Sequence, residues 1–179
     1  MFVYDNNHPT NRLIVLASPL ALQMLSKSHH WASDGTFSSS PNLFSQMTTI
    51  HAVLPGPDNT YYVIPTVYAA MTNKSTETYT ELLTALNNLN YTFQPQSVMT
   101  DFEHQLQNSF VDVFPGVTRA GCLFHFKQAV LRSVNELGLK REYEEKVIVN
   151  GRPGMSRSKK QIKRAMNIAF VHPADVPRA

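Results

Sequence analysis

Past Met71 the hydrophobic pattern of this chain changes its period, and that change narrows the folds open to it. Before it stand three runs rich in Thr, Ile, Val and aromatic residues, at 30–37, 46–54 and 61–71. Turn-forming stretches separate them: Ser38-Ser39-Ser40-Pro41-Asn42 and Pro55-Gly56-Pro57-Asp58-Asn59. Such runs joined by short turns predict an antiparallel meander. Pro65 marks a bulge or an edge in the third run. After Met71, apolar residues recur at helical spacing. Tyr79, Leu82, Leu83, Leu86 and Leu89 follow Ser75 or Thr76 as a start signal. Phe102, Leu106, Phe110 and Val113 make a second helical face that Gly116 breaks. Phe126, Ala129, Val130, Val134 and Leu137 make a third, ended by Gly138. Between these helices lie two short strand candidates, Val98-Met99-Thr100 and 117–124.

The order is therefore three strands, helix, strand, helix, strand, helix. Strands linked through helices pair in parallel, with right-handed crossovers. A mixed five-stranded sheet ordered 3-2-1-4-5 and flanked by helices satisfies both halves of the pattern. That is an α/β fold of the ribonuclease-H-like arrangement. In it the first and fourth strands are neighbours, about 4.8 Å apart. Asp34 lies near the end of the first strand and Asp101 at the end of the fourth. Two carboxylates on neighbouring strands can hold a divalent cation for phosphoryl chemistry. Each also has a plainer role. Asp34 before Gly35 suits a strand-end turn. Asp101 precedes a helix, where Thr100 and Glu103 have the spacing of a capping box.

Cys122 and His125 follow in Gly121-Cys122-Leu123-Phe124-His125-Phe126. They read as half a zinc site, or as a buried thiol and a helix-start imidazole beside the two acids. A structural zinc needs four ligands, and the chain has one cysteine. His51, His104 and the pair His29-His30 could contribute only if the fold brings them close. A Cys–His nucleophile would still lack an orienting acid and oxyanion donors.

Hydrophobic residues make up 42% of the 179 and charged residues 16%, which argues for a folded core rather than disorder. The net charge is +3, and the excess sits late. Six Lys or Arg and no acid occur from Arg152 to Arg164. Arg152, Lys159 and Lys160 in that run, with Lys127 and Arg132 on the preceding helix, are candidates for phosphate contacts. A solvated surface is the equal alternative. A single cysteine excludes an internal disulfide and fits an intracellular, reducing setting. The apolar stretch 13–25 is short and broken by Pro19 and Gln23, so no membrane span or signal peptide is expected.

Three divisions are expected. Residues 1–11 are turn-rich and loosely ordered. Residues 12–149 form the core, opened by a short strand at 12–17 and a helix from Ser18 or Pro19. Residues 150–179 begin with a basic loop at 150–160 and continue as a helix over 160–170, before Pro173 and Pro177.

Several pieces now resemble a known family in order and spacing. They are Trp31…Asp34-Gly35-Thr36-Phe37, Pro41…Phe44…Gln46, Ile50-His51-Ala52, Met99-Thr100-Asp101-Phe102-Glu103, Phe114-Pro115 and the segment 121–126. Together they resemble the Mutator-like element (MULE) transposase domain, over about residues 12–170. The resemblance implies a DNA transposase with a ribonuclease-H-like core. It implies two aspartates and a glutamate that hold two Mg²⁺ or Mn²⁺ ions. Asp34 and Asp101 match the two aspartates, and Cys122 and His125 match a Cys-x-x-His motif that supports the site. The third acid belongs on a helix beyond a helical insertion, whose start Gln161-Ile162-Lys163-Arg164-Ala165-Met166-Asn167 resembles. Glu142, Glu144 and Glu145 precede that segment and do not take the role. The expectation is a fragment truncated before the end of the insertion. Its alternative is a catalytically silent DNA- or protein-binding module. The resemblance also implies element-end DNA as partner, an oligomer of transposase subunits and a nuclear location.

Overall fold

The computed structural model of the protein describes residues 2–36, 40–149 and 151–171. In chain order these form β1 (Phe2–Asp5), β2 (Leu13–Ala17), α1 (Pro19–Lys27), β3 (His30–Thr36), β4 (Gln46–Pro55), β5 (Tyr61–Met71) and α2 (Thr76–Asn87). There follow β6 (Ser97–Thr100), α3 (His104–Val113), β7 (Thr118–Gly121), α4 (Leu123–Glu136), α5 (Lys140–Glu144), β8 (Lys146–Val149), β9 (Arg152–Met155) and α6 (Arg157–Met166). A 3-10 turn, Asn167–Phe170, comes after α6. The chain falls into two compact units, Met1–Gly121 and Cys122–Ala179. Phe37 to Ser39, Asn150, Pro173 and Pro177 lie outside the described residues.

The first unit is a seven-stranded mixed sheet ordered β1-β2-β5-β4-β3-β6-β7. Pairing is antiparallel from β1 through β3 and parallel across β3, β6 and β7. The architecture is α/β and broadly ribonuclease-H-like. The sheet nevertheless has seven strands, not the expected five, because β1 and β2 extend it beyond β5. β2 pairs with the last five residues of β5, Val67 to Met71, and buries Leu13, Val15 and Ala17. The stretch expected to be loosely ordered contains β1, and polar side chains hold it. Arg12 Nη2 donates to Asp5 Oδ2 at 2.7 Å, Asn6 Oδ1 accepts from the Leu13 amide at 3.0 Å, and Tyr4 Oη donates to Glu81 at 2.7 Å. Such bonds leave no hydrophobic period to read.

The period change at Met71 does mark the passage from meander to helix-linked strands. Pro65 also behaves as its chemistry requires. The β4–β5 register slips there, Ile50 facing Val67 and His51 facing Pro65, so Thr66 is an extra residue. Thr66 Oγ1 donates to the Ile50 carbonyl at 2.8 Å. β2 pairs with β5 only from Val67 onward, so the missing N–H of Pro65 costs no ladder bond.

The helices α1, α2 and α3 share one core with a single face of this sheet. Trp31, Ala52 and Val98 lie side by side in that face, on β3, β4 and β6. Trp31 is the centre of the core. It is 1% exposed and meets Phe93, Phe110 and Phe114 edge-on, at centroid distances of 5.8, 6.3 and 5.4 Å. Its Nε1 donates to the Ser28 carbonyl at 3.0 Å. A ring of this size buries roughly 150–250 Å², on the order of 4–6 kcal/mol of transfer free energy at about 25 cal/mol per Å².

Several boundaries differ from the expected ones. The fifth core strand ends at Gly121 instead of running to 124, since Cys122 is already the N-cap of α4. The expected loop at 150–160 is β9 and the start of α6. β9 pairs with β8, Lys146 facing Met155 and Val149 facing Arg152, and Gly151 takes a φ of 75° at the return. Ser156 then caps α6. Its Oγ accepts from the Lys159 amide at 3.1 Å and donates to the Glu142 carbonyl at 2.8 Å. The last helix therefore begins at Arg157, three residues early. Among the described residues, no helix is long and apolar enough to cross a membrane.

Candidate functional site

The parallel pairing of β3 with β6 decides where the two acids go. His30 faces Ser97, Trp31 faces Val98 and Ala32 faces Met99, a constant offset of 67 residues. The imidazole Nδ1 of His30 and Ser97 Oγ, 2.8 Å apart, pin that register. The last paired residues, Ala32 and Met99, each stand two positions before an acid, Asp34 and Asp101. Side chains alternate along a strand, so Asp34 shares the face of His30 and Ala32, opposite the face that buries Trp31. Asp34 is exposed. Asp101 is half-buried, one residue past the end of β6.

The turn after β6 is built around Asp101. Its Oδ1 accepts from the Glu103 amide at 3.1 Å, an Asx turn. Gln107 Nε2 donates to the Asp101 carbonyl at 3.0 Å and to Thr100 Oγ1 at 3.1 Å. Thr100 Oγ1 itself donates to the Asp101 carbonyl at 2.7 Å. The expected capping box between Thr100 and Glu103 is not formed. Helix α3 begins at His104 with Glu103 as its N-cap, and the Glu103 side chain makes no capping bond. The Asx turn has taken over the work of a cap.

Under the acids, on the core side of the sheet, runs a polar network that sequence reasoning missed. Gln46, fully buried on β4, donates from Nε2 to Thr48 Oγ1 at 2.8 Å and to Tyr79 Oη at 2.9 Å. Its amide lies against the backbone of Gly35. A Cβ at Gly35 would stand 2.4 Å from Gln46 Nε2, so a larger residue beside Asp34 would force the Gln46 amide to shift. Tyr79, on α2, also hydrogen-bonds Glu103. Glu103 exposes 15% of its side chain, and Lys74 Nζ stands 3.7 Å from its Oε2. Burial pushes the Glu103 carboxyl above its ordinary range, and the charge of Asp101 adds to that. Lys74 and the Tyr79 hydrogen bond oppose it. Burial likewise raises the Tyr79 phenol, with the Glu103 charge contributing. Gln46 Oε1 and Ser33 Oγ are buried without a hydrogen-bond partner among the described residues. The signal that could have exposed this network is Gln46 itself. It occupies a core-facing position in an alternating strand, where an apolar residue belongs.

The remaining sequence candidates lie on other elements. Cys122 and His125 are half-buried at the start of α4. Lys127 and Arg132 are exposed on that helix, and Arg152 is exposed on β9. Lys160 is exposed on α6, but Lys159 is half-buried, with its Nζ 5.1 Å from the centre of the Tyr143 ring. Glu142, Glu144 and Glu145 surround a polar hollow with Arg141 on and after α5. His104 opens α3. His51 lies on β4 with its Nδ1 buried and unpartnered among the described residues. No group of three or more His, Cys, Asp or Glu that could hold a metal occurs among the described residues.

The sequence model of the MULE transposase domain covers residues 30–129 of this chain, from the first residue of β3 into α4. No curated protein matches it.

Proposed function

We propose, for a chain that belongs to the MULE transposase domain family, that Asp34 and Asp101 are the carboxylates of a divalent-metal site for DNA phosphoryl transfer. The observation that supports this reading is the parallel β3–β6 pairing, whose last partners, Ala32 and Met99, each stand two positions before one of the acids. The donor set fits Mg²⁺ or Mn²⁺. Both side chains offer hard oxygen donors, and such ions accept one or two carboxylates and keep waters in their other positions. When bound, the metal would activate the attacking oxygen or stabilise the leaving one. The chain's own contribution is positional. β3 and β6 fix the separation of the carboxylates, the Asx turn orients Asp101, and Gly35 lets the strand pass over Gln46. Cys122 and His125 support this site at the start of α4. Lys127, Arg132, Arg152 and Lys160 meet DNA phosphates. Lys159 does so only partly, given its place over Tyr143. A nuclear location and assembly with further subunits belong to the same family reading.

A second reading has its own observation. In it the domain serves as a silent DNA-binding module. The exposed Arg157, Lys160, Lys163 and Arg164 of α6 then carry the interaction. Assaying nicking of end-labelled duplex DNA against Mg²⁺ and Mn²⁺ separates the two. Metal-dependent nicking that Asp34→Asn and Asp101→Asn each abolish supports the enzyme. Salt-sensitive binding without nicking, unchanged in both variants, supports the module.

A further inference from the structure

The buried polar network does more than fill the core, because one end lies beside the residue after Asp34 and the other bonds Asp101. At one end the Gln46 amide presses on the backbone of Gly35, the residue after Asp34. At the other, the backbone amide of Glu103 donates to Asp101 Oδ1 at 3.1 Å. Tyr79 joins the ends. Its hydroxyl accepts from Gln46 Nε2 at 2.9 Å and bonds the Glu103 carboxylate. Thr48, which accepts from the same Gln46 nitrogen at 2.8 Å, also bonds Tyr79 and closes the inner side of the network. Lys74, 3.7 Å from Glu103 Oε2, closes the outer side. The path thus crosses from β4 through α2 to the start of α3 and spans the seam between β3 and β6.

We infer that Gln46, Tyr79 and Glu103 form a positioning brace that sets the separation of Asp34 and Asp101 for a divalent cation. The inference rests on the two-carboxylate reading given above. It also explains three residues by one geometry: a glutamine where the strand pattern calls for an apolar side chain, a glycine whose replacement would displace that glutamine, and a glutamate at a helix start whose side chain caps nothing. Each bond in the path polarises the next, so the path is stiffer than its members alone. Supporting side chains of this kind orient the groups that touch the metal, and losing one weakens binding without removing a ligand.

The test is Mn²⁺ titration of the full chain, with free Mn²⁺ read by its electron paramagnetic resonance signal. The proteins are the wild type, Asp34→Asn, Tyr79→Phe, Glu103→Gln and Glu103→Ala, each checked for a cooperative melt. Tyr79→Phe and Glu103→Ala are expected to weaken Mn²⁺ binding roughly 10–100-fold. Glu103→Gln keeps an acceptor for the Tyr79 hydroxyl and is expected to stay within a few-fold of wild type, a rescue that a mere charge effect would not give. If Glu103→Gln binds as weakly as Glu103→Ala, charge rather than the brace is at work and the proposal is overturned. It is also overturned, alone, if the wild type binds, Asp34→Asn loses binding, and Tyr79→Phe and Glu103→Ala match the wild type. If the wild type binds no Mn²⁺, or Asp34→Asn binds equally well, the two-carboxylate reading falls and the brace with it. Should Tyr79→Phe fail to fold, the two Glu103 variants, altered at a partly exposed side chain, carry the same comparison.

Discussion

The two compact units solve the problem of stability in different ways. The first buries a continuous apolar cluster that runs from Leu13 to Val117. In the second, among the described residues, only Val134 and Met166 are buried hydrophobics. Its order comes instead from local devices: the Ser156 cap, the β8–β9 ladder, and a Lys140–Glu144 pair at 4.0 Å on an exposed helix. Such devices contribute a few tenths of a kcal/mol to about 1 kcal/mol each. A deep core can tolerate a buried polar network and an exposed pair of like charges. A shallow one cannot, and opens locally at low free-energy cost.

Four measurements would break or sharpen this contrast. Trp31→Ala should have the largest effect, about 3–5 kcal/mol lost, read from the urea midpoint of the first unit. A loss near 1 kcal/mol would mean that the Phe93, Phe110 and Phe114 cluster does not depend on it. Gly35→Ala should come next. Its new Cβ would sit 2.4 Å from Gln46 Nε2, and relieving such overpacking costs about 1–3 kcal/mol. Gln46→Ser in the same chain should recover part of that loss. Val134→Ala should scarcely shift the main urea transition, by about 0.5 kcal/mol or less if α4 opens independently. Hydrogen exchange should show the change instead, as faster exchange confined to 123–166. A shift as large as that of Trp31→Ala would unite the two units and end the comparison. The smallest effect is on β1. The Arg12 hydrogen bond, helped by the Asn7 amide, holds Asp5 below its ordinary value of 3.8. A lowered carboxylate stabilises the fold above its unfolded pKa and loses that stabilisation as pH falls through the folded one. Melting temperatures of the wild type and Asp5→Asn should therefore differ at pH 6 and converge as the pH falls through the lowered Asp5 carboxyl range.

Much of the first unit was legible because its signals are hydrophobic and periodic. The run β5-β4-β3-β6-β7 follows from a meander succeeded by helix-linked strands that pair in parallel. What escaped was polar. β1 is held through Asp5, Asn6 and Tyr4, which look like turn residues in one dimension. β9 and the first turn of α6 were hidden by Gly151, Pro153 and Ser156, which read as a loop until the hairpin register and the cap are seen. Asp34 and Asp101 could be singled out as acids at the ends of strand-like runs. The partnership of Gln46, Tyr79 and Glu103 could not, because it joins three elements through single atoms and leaves no period behind. Thr100 and Glu103 had the spacing of a capping box, but Asp101 competes for the same amide and wins.

Strand β6 is only four residues long, and that brevity governs how related genes can diverge. A codon gained within it would turn the Asp101 side chain to the other face of the sheet, and the proposed metal site would be lost in one step. The same gain in the connection at 88–96 would be absorbed as slack. Lineages of this domain should therefore vary freely in the length of that approach while keeping the distance from Ser97 to Asp101 invariant. A survey of insertions and deletions across its kin would reveal that asymmetry without any assay of activity.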